Sequence, residues 1–491
     1  MVKPEIKTQK FIIKYFTEIM IKGTTAKRQM IAQVYNNLNS ILSKVSSDIT
    51  IKKFFDKVEV VCPIEVVAIV RQRLLDTPGI QQILEAIQFD NMYTLDEIKV
   101  KVNEICASEI QGKTFVIRAK RTGTQDFKST QIEQTVGGYM LAMNSNTKGV
   151  SLKNPEVTIN IELEHHQLNI ITYKHMGMGG FPIGTQGSVI SLMSGGFDST
   201  VASYLTMKRG IKTHFIFFNL GGVAHEIGVK QVAYYLWNKF GSSHRVSFIS
   251  IPFDDVVTEI FKSVSEPYMG VMLKRLMLKA SEKVADSMGI DALITGESVA
   301  QVSSQTLRNL ALIDQVTNKL VLRPLSMMSK PDIIDIAYKI GTRRFAEAMP
   351  EYCGVISKNP VTHGSYERME KEASHFDYSI LDEAVKKSVF VNVDEIDQDV
   401  NEIGQMEIVT DLKSGDYTVI DIRQTPDCIE TSCQTLKIPF YSLKNEFKKL
   451  PQDKTYLFYC DKGIMSQLHA QYLRDSEGFS NIKVYRPEEN K

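Results

Sequence analysis

SLMSGGFDSTVASY, residues 191–204, is the stretch whose reading decides the fold. It passes from an apolar run, through a turn containing Gly195 and Gly196, into a segment of helical character, and the lysine of a Walker loop is missing. Such a turn brings backbone N–H groups and the hydroxyls of Ser194 and Ser199 onto phosphate oxygens, and the helix that follows points its positive end at the same place. The pattern reads as a phosphate cradle or as an ordinary tight turn. Asp198 is the odd residue for a cradle: a bare carboxylate repels a triphosphate unless a cation intervenes, which gives it a Mg2+-linked role. It equally suits a helix N-terminus, where the dipole favours it by ~0.3–1 kcal/mol.

Around this stretch strands and helices alternate. VISLMS, THFIFFNL, RVSFISIPF and DALITGES read as strands, with a helix around KQVAYYLWNKF. This order predicts a doubly wound parallel sheet over residues 175–395, with the loop at the carboxyl end of its first strand, where such folds bind ligands. Upstream, FIIKYFTEIMIKG reads as a strand and RQMIAQVYNNLNSILSKV as a helix, an α+β unit over 1–75. A second α+β unit follows over 76–174, in which the helical LDEIKVKVNEICASEI leads into the strand-like GKTFVIRAKRTG and ends at a hairpin, VTINIELEHHQLNIITYK. The Gly-rich HMGMGGFPIGTQG, residues 175–187, reads as a linker. An acidic stretch around 395–406 reads as another, before a last α/β unit at 404–491.

The 491 residues exceed one hydrophobic core and suit three or four domains of ~100–200 residues. Up to residue 175 there are 23 Lys+Arg against 18 Asp+Glu, and 35 against 39 beyond it, so the basic excess lies in the N-terminal third. There Arg118 and Lys120 alternate onto one strand face, with Arg121 and Lys113 close in sequence and Phe127 after them. They read as phosphate contacts or as a charged strand edge. No apolar run approaches the ~20 residues of a membrane span and the N-terminus lacks a signal-peptide core, so a cytoplasmic protein is expected. The six cysteines include no CxxC pair, which disfavours a zinc ribbon or a cysteine-held iron–sulfur cluster and leaves no metal-ligand set.

One of the six stands out. TYLFYC carries Cys460 to a strand end, followed by a short turn with Gly463 and the helical MSQLHAQYLRD. Amide dipoles at such a turn would stabilise a thiolate or an anionic persulfide. Otherwise Cys460 is a buried structural cysteine.

SGGFDS after an apolar strand resembles the loop of ATP pyrophosphatases, which cut ATP between the α- and β-phosphates and need no Walker lysine. VIDIR with Asp421 and Arg423, together with the turn at Cys460, resembles a rhodanese domain. GGFPIGTQ, FFNLGGVAHEIGVKQVAYYLWNKFGSSHRV, ITGESVAQVSSQTL and MPEYCGVISKNP, in this order of domains, resemble the bacterial tRNA 4-thiouridine synthetase (tRNA sulfurtransferase) family from about Phe11 to Pro487.

The resemblance implies a ferredoxin-like unit and a THUMP domain that bind tRNA, a domain that adenylates uridine 8 at its C4 oxygen, and a rhodanese domain that delivers sulfur. It implies a persulfide at Cys460, a second thiol at Cys353, and a redox disulfide between them. Lys330 would be catalytic with Asp198. Leu192, Met193, Lys274, Gly296 and Gln305 would join Ser194, Gly195, Gly196 and Ser199 in holding ATP. ATP with Mg2+ is the implied co-substrate. The implied partners are tRNA, a cysteine desulfurase, a reductant and, for thiamine thiazole synthesis, a sulfur-carrier protein. Gln125 in GTQDF stands where that family would have a histidine. Without the resemblance Cys353 reads as a small buried hydrophobe and Lys330 as a surface lysine. An amide-forming ligase with the same loop, and a non-catalytic RNA-binding protein, are the competing readings.

Overall fold

In the first unit β1 (Thr8–Tyr15), β2 (Thr50–Lys53), β3 (Lys57–Pro63) and β4 (Ile80–Phe89) alternate with the helices Thr24–Leu42 and Val67–Leu75. Met30, Ile31, Val34, Leu38 and Ile41 recur at helical spacing, which places them on one face of the first helix, buried against Phe11, Ile13, Tyr15, Val58 and Val60 of the sheet. The strand order β2-β3-β1-β4 is that of a ferredoxin-like unit. Its fourth strand lies beyond residue 75, so this strand set runs to Phe89. The computed structural model describes residues 8–220, 223–347 and 359–396, and from the C-terminal part 406–412, 416–422, 433–438, 443, 446–460, 466, 469–470, 473–474 and 477–487.

The helix Leu95–Cys106 opens on a capping box between Thr94 and Glu97, and β5 (Thr114–Thr122), the helix Ser129–Met143, β6 (Gly149–Val150), β7 (Val157–Glu164) and β8 (Gln167–Gly179) follow. Because β8 pairs with β4, all eight strands form one sheet, ordered β2-β3-β1-β4-β8-β7-β5-β6. Residues 175–179, expected in a linker, are therefore strand. Gly177 serves close approach: a Cβ on it would stand 2.4 Å from the Ile80 carbonyl oxygen.

The helices of this unit pack on one face of the sheet through two apolar clusters, and the other face carries charge. Lys57 of β3 pairs there with Glu59 and with Glu164 of β7, and Lys14 of β1 lies 3.7 Å from Glu162. In a flat sheet β3 and β7 would stand about 19 Å apart. Their direct ion pair means that the sheet coils and its helix-free face is concave.

Across the second unit run β9 (Ser188–Leu192), β10 (Lys212–Asn219), β11 (Ser247–Pro252), β12 (Ala292–Ile294), β13 (Leu320–Leu322) and β14 (Val389–Asn392), in the order β13-β12-β9-β10-β11-β14. The sheet is parallel as expected, with one addition: β14 runs antiparallel to β11 at the edge. Successive strands β9, β10 and β11 build outward on one side, and β12 returns to the other side of β9. The topological switch point thus lies between β9 and β12, where open sheets of this type bind ligands beyond their carboxyl ends.

Farther on, β15 (Ile408–Val409), β16 (Tyr417–Asp421), β17 (Gln434–Lys437), β18 (Thr455–Tyr459) and β19 (Ile482–Tyr485) form a parallel sheet ordered β15-β19-β18-β16-β17. Cys353, Cys428, Arg423, Gly463 and most of the acidic stretch lie outside the described residues. Among the described residues no helix is long and apolar enough to cross a membrane.

A candidate adenylating site and a cysteine at a strand end

The loop leaves β9 at Met193, whose N–H donates to the Ile216 carbonyl and so keeps the chain in sheet register to its last residue. Gly195 then takes φ +80°, a turn that a side chain would strain, and the helix Phe197–Lys208 begins. The Ser194 and Ser199 hydroxyls lie 3.1 Å apart, and the Ser194 N–H donates to Ser199 Oγ at 3.2 Å. The two hydroxyls and the loop amides therefore share one small volume at the positive end of the helix, as an anion site requires.

Residues 295–298, which follow β12, form the opposite wall. Gly296 lies so near the start of the helix that a Cβ on it would stand 2.6 Å from the Asp198 carbonyl carbon and from the Ser199 nitrogen. Lys330, first residue of the helix Lys330–Ile340, donates through Nζ to Asp198 Oδ1 at 2.8 Å, and Gln301 Nε2 donates to Oδ2 at 2.8 Å. Asp198 and Lys330, 132 residues apart, are thus one pair. Among the described residues no group of three or more His, Cys, Asp or Glu side chains could hold a metal ion. A cation at Asp198 would draw its remaining ligands from phosphate oxygens and water, which fits one that arrives with a nucleotide.

Beneath this wall Glu297 is buried and accepts from Lys274 Nζ and Arg323 Nε, each at 2.8 Å, and from Thr295 Oγ1 at 3.1 Å. Burial alone would push its carboxyl up, but Lys274 and Arg323 outweigh burial and hold it below the ordinary carboxylate value. Arg323 also forks onto Asp314, at 2.9 and 2.5 Å. Gln305, buried, accepts from the Ser298 N–H at 3.3 Å. Lys274, Gly296, Gln305, Asp198 and Lys330 therefore meet around one loop, along with Leu192 and Met193 at the strand end. Glu297, Gln301 and Arg323 were missed in the sequence.

Among the cationic residues of the first unit, Arg118 and Lys120 are exposed, on the face away from Phe115 and Ile117, which pack on the helices. Lys120 Nζ stands 4.0 Å from Glu162, and Arg118 donates to the Leu152 carbonyl. Arg121 turns elsewhere, donating to the carbonyls of Gly123 and Gln125 and to Gln125 Oε1, so it clamps the loop in which Gln125 replaces the expected histidine. Lys113, exposed, precedes β5 and lies about 16 Å along the strand from Arg118.

Cys460 follows β18 directly. The Ser466 N–H lies 3.3 Å and its hydroxyl 3.4 Å from Sγ, with Ser466 fully buried. An amide N–H aimed at sulfur is a donor suited to an anionic sulfur. Asp421 ends the neighbouring strand, in register with Tyr459, and is buried.

A phosphate-type loop at the switch point of a parallel sheet, faced by a lysine–aspartate pair and joined in one chain to a cysteine-tipped parallel α/β unit, defines an adenylating enzyme of the ATP pyrophosphatase class with a rhodanese-type module. The chain matches three families, described as thiamine biosynthesis protein (ThiI) over residues 184–378, THUMP domain over 93–172 and rhodanese-like domain over 406–486. Over 97% of its length it is 44% identical to a tRNA sulfurtransferase of Saccharophagus degradans and 46% identical to one of Aeromonas hydrophila, covering 100% of each. It belongs to the tRNA sulfurtransferase family. A crystal structure of a 4-thiouridine synthetase–RNA complex with bound ATP superposes with a TM-score of 0.69 at 25% identity, over 79% of this chain and 100% of that one.

Proposed function

We propose that the chain thiolates tRNA at the expense of ATP, converting uridine 8 to 4-thiouridine. The observation that carries this reading is the convergence of Asp198, Lys330, Lys274, Gly296 and Gln305 on the loop at the switch point, in a chain whose full-length relatives are tRNA sulfurtransferases. The uracil O4 attacks the α-phosphorus of ATP, pyrophosphate leaves into the cradle of Ser194, Gly195, Gly196 and Ser199, and C4 now carries AMP as a competent leaving group. Lys330 neutralises charge that develops on phosphate oxygens. Asp198 would hold a Mg2+ ion that arrives with ATP, which would supply further neutralisation of the triphosphate.

Sulfur comes from a persulfide on Cys460, charged by a cysteine desulfurase. Its terminal sulfur attacks C4 and expels AMP, leaving the base joined to Cys460 through a disulfide. The Cys353 thiolate attacks Cys460 Sγ, 4-thiouridine departs, and a reductant opens the Cys353–Cys460 disulfide with two electrons. The same persulfide would serve a sulfur-carrier protein in thiazole synthesis. Domain limits of 1–75, 76–174, 175–395 and 404–491 suit this division of labour, with two adjustments: β4 carries the ferredoxin-like strands to Phe89, and β8 carries the THUMP-like unit to Gly179.

Mass spectrometry of nucleosides from tRNA incubated with the chain, MgATP, a desulfurase and cysteine should show 4-thiouridine that needs ATP, Cys353 and Cys460. An amide-forming ligase would keep its activity in Cys460→Ala, and an RNA-binding protein would give no ATP-dependent product at all.

A further inference from the structure

His225 lies in the first turn of the helix Val223–Leu236 and is buried, with its ring edge-on to Phe217 at 4.8 Å. Its Nε2 stands 3.2 Å from the carbonyl oxygen of Ser194, in the middle of the phosphate loop. A carbonyl can only accept, so this nitrogen carries the proton. Burial pushes the imidazole below its ordinary value, and a neutral ring protonated at Nε2 donates as well as a charged one.

A trans peptide is planar, and its N–H points opposite to its C=O. Holding the Ser194 carbonyl toward His225 therefore turns the Gly195 N–H away from that helix. Gly195, at φ +80°, could otherwise rotate this peptide at little cost, because glycine adopts several backbone states with similar ease. The Ser194 N–H is meanwhile fixed on Ser199 Oγ. Both peptide groups that flank Ser194 are thus set before any ligand arrives.

We infer that His225 is a positioning residue of the adenylating reaction, which locks the Ser194–Gly195 peptide so that the Gly195 N–H is preset to receive the β,γ-phosphates of ATP and the departing pyrophosphate. The inference rests on the reading of this loop as the pyrophosphate cradle. It assigns to a residue outside the loop the task that loop hydroxyls alone leave undone.

Two substitutions separate this role from simple packing. His225→Phe keeps the ring against Phe217 and removes the donor; His225→Gln sacrifices the ring and places an amide N–H near the position of Nε2. Calorimetric titration of the full chain with MgATP and with pyrophosphate should show about tenfold weaker binding of both in His225→Phe, the size expected for one lost hydrogen bond and a freed peptide. His225→Gln should recover to within about threefold of the parent, although it is the less stable of the two proteins in thermal unfolding. Persulfide loading of Cys460 should be unchanged in both.

Affinities that follow stability instead, with Phe equal to the parent and Gln the weaker, would overturn the inference. If the parent itself bound neither MgATP nor pyrophosphate, the cradle reading would fall, and the assignment of His225 with it.

Discussion

Glu297→Gln is the most informative single change in the adenylating domain. The carboxylate accepts from two cations and a hydroxyl in a buried setting, and the amide that replaces it has the same shape but can turn its oxygen to only one of Lys274 and Arg323, presenting NH2 to the other. Breaking a buried pair by removing one partner costs about 3–5 kcal/mol, because the remaining charge stays desolvated. Arg323 keeps its fork to Asp314, and the Lys274 side chain retains 22% exposure, so the cost should sit near the lower end, about 3 kcal/mol.

The chain has a single tryptophan, Trp237, buried within this domain, so its fluorescence in urea follows this domain alone. At a slope of about 2 kcal/mol/M the midpoint should fall by roughly 1.5 M. Adding Lys274→Met to Glu297→Gln should restore part of the loss, since the orphaned ammonium is then gone. A further loss on adding it, or a first shift too small to measure, would refute the view that this hub is a coupled ionic unit.

The sign of the acid dependence follows from the same hub. A carboxyl depressed on folding contributes stability above its unfolded value, about 4.3, and that contribution disappears as pH falls through the lower folded-state value. Glu297→Gln should therefore flatten this part of the parent's acid unfolding curve.

Gly296→Ala should lower adenylation by about a hundredfold with little change in persulfide loading, as its Cβ would press on backbone at 2.6 Å and displace the start of the loop helix; ATP-dependent product formation reads it out. Asp198→Ala frees Lys330 and Gln301 and removes the carboxylate that the proposed mechanism assigns to a cation, so thiolated tRNA should vanish while Cys460 still accepts sulfur. Normal 4-thiouridine from this variant would remove Asp198 from the reaction. Arg118→Glu with Lys120→Glu should weaken tRNA binding and flatten its log–log salt slope by about 0.9, or somewhat less, per lost phosphate contact, measured by filter binding at several salt concentrations. An unchanged slope would make the two residues a charged strand edge.

The loop was legible because its demands are local. Two glycines, two hydroxyls and an aspartate within six residues after an apolar run mark a strand–turn–helix without knowledge of anything else in the chain. The other half of the site was not, since Gly296, Gln305 and Lys330 lie 98, 107 and 132 residues beyond Asp198 and come together with it only because β12 returns beside β9. Their roles followed from the family resemblance, and without it Lys330 would have read as a surface lysine. Glu297 and His225 were missed for a related reason: each acts through a partner distant in sequence, and nothing in the neighbouring residues distinguishes a buried hub from a solvated charge.

The linker reading failed at residues 175–179 in an instructive way, while 180–187 carries no strand or helix and holds the boundary between the two compact units. Glycine density signals either freedom or crowding, and composition cannot separate the two. At Gly177 it is crowding, since the backbone of β8 passes the Ile80 carbonyl too closely for any side chain, at the register shift between Ile80 and Gln82. The pairing of β8 with β4 that this glycine permits turns two sequence units into one coiled eight-stranded sheet, clasped by Lys57 and Glu164 across its concave face. Arg118 and Lys120 therefore stand on a surface fixed to the ferredoxin-like strands, and an RNA held by one half of the sheet is held in register with the other. A flexible joint between the two units, near residue 75, would have lost that register with each fluctuation of the joint, whereas continuous backbone hydrogen bonding through β1, β4 and β8 can lose it only if the sheet itself opens.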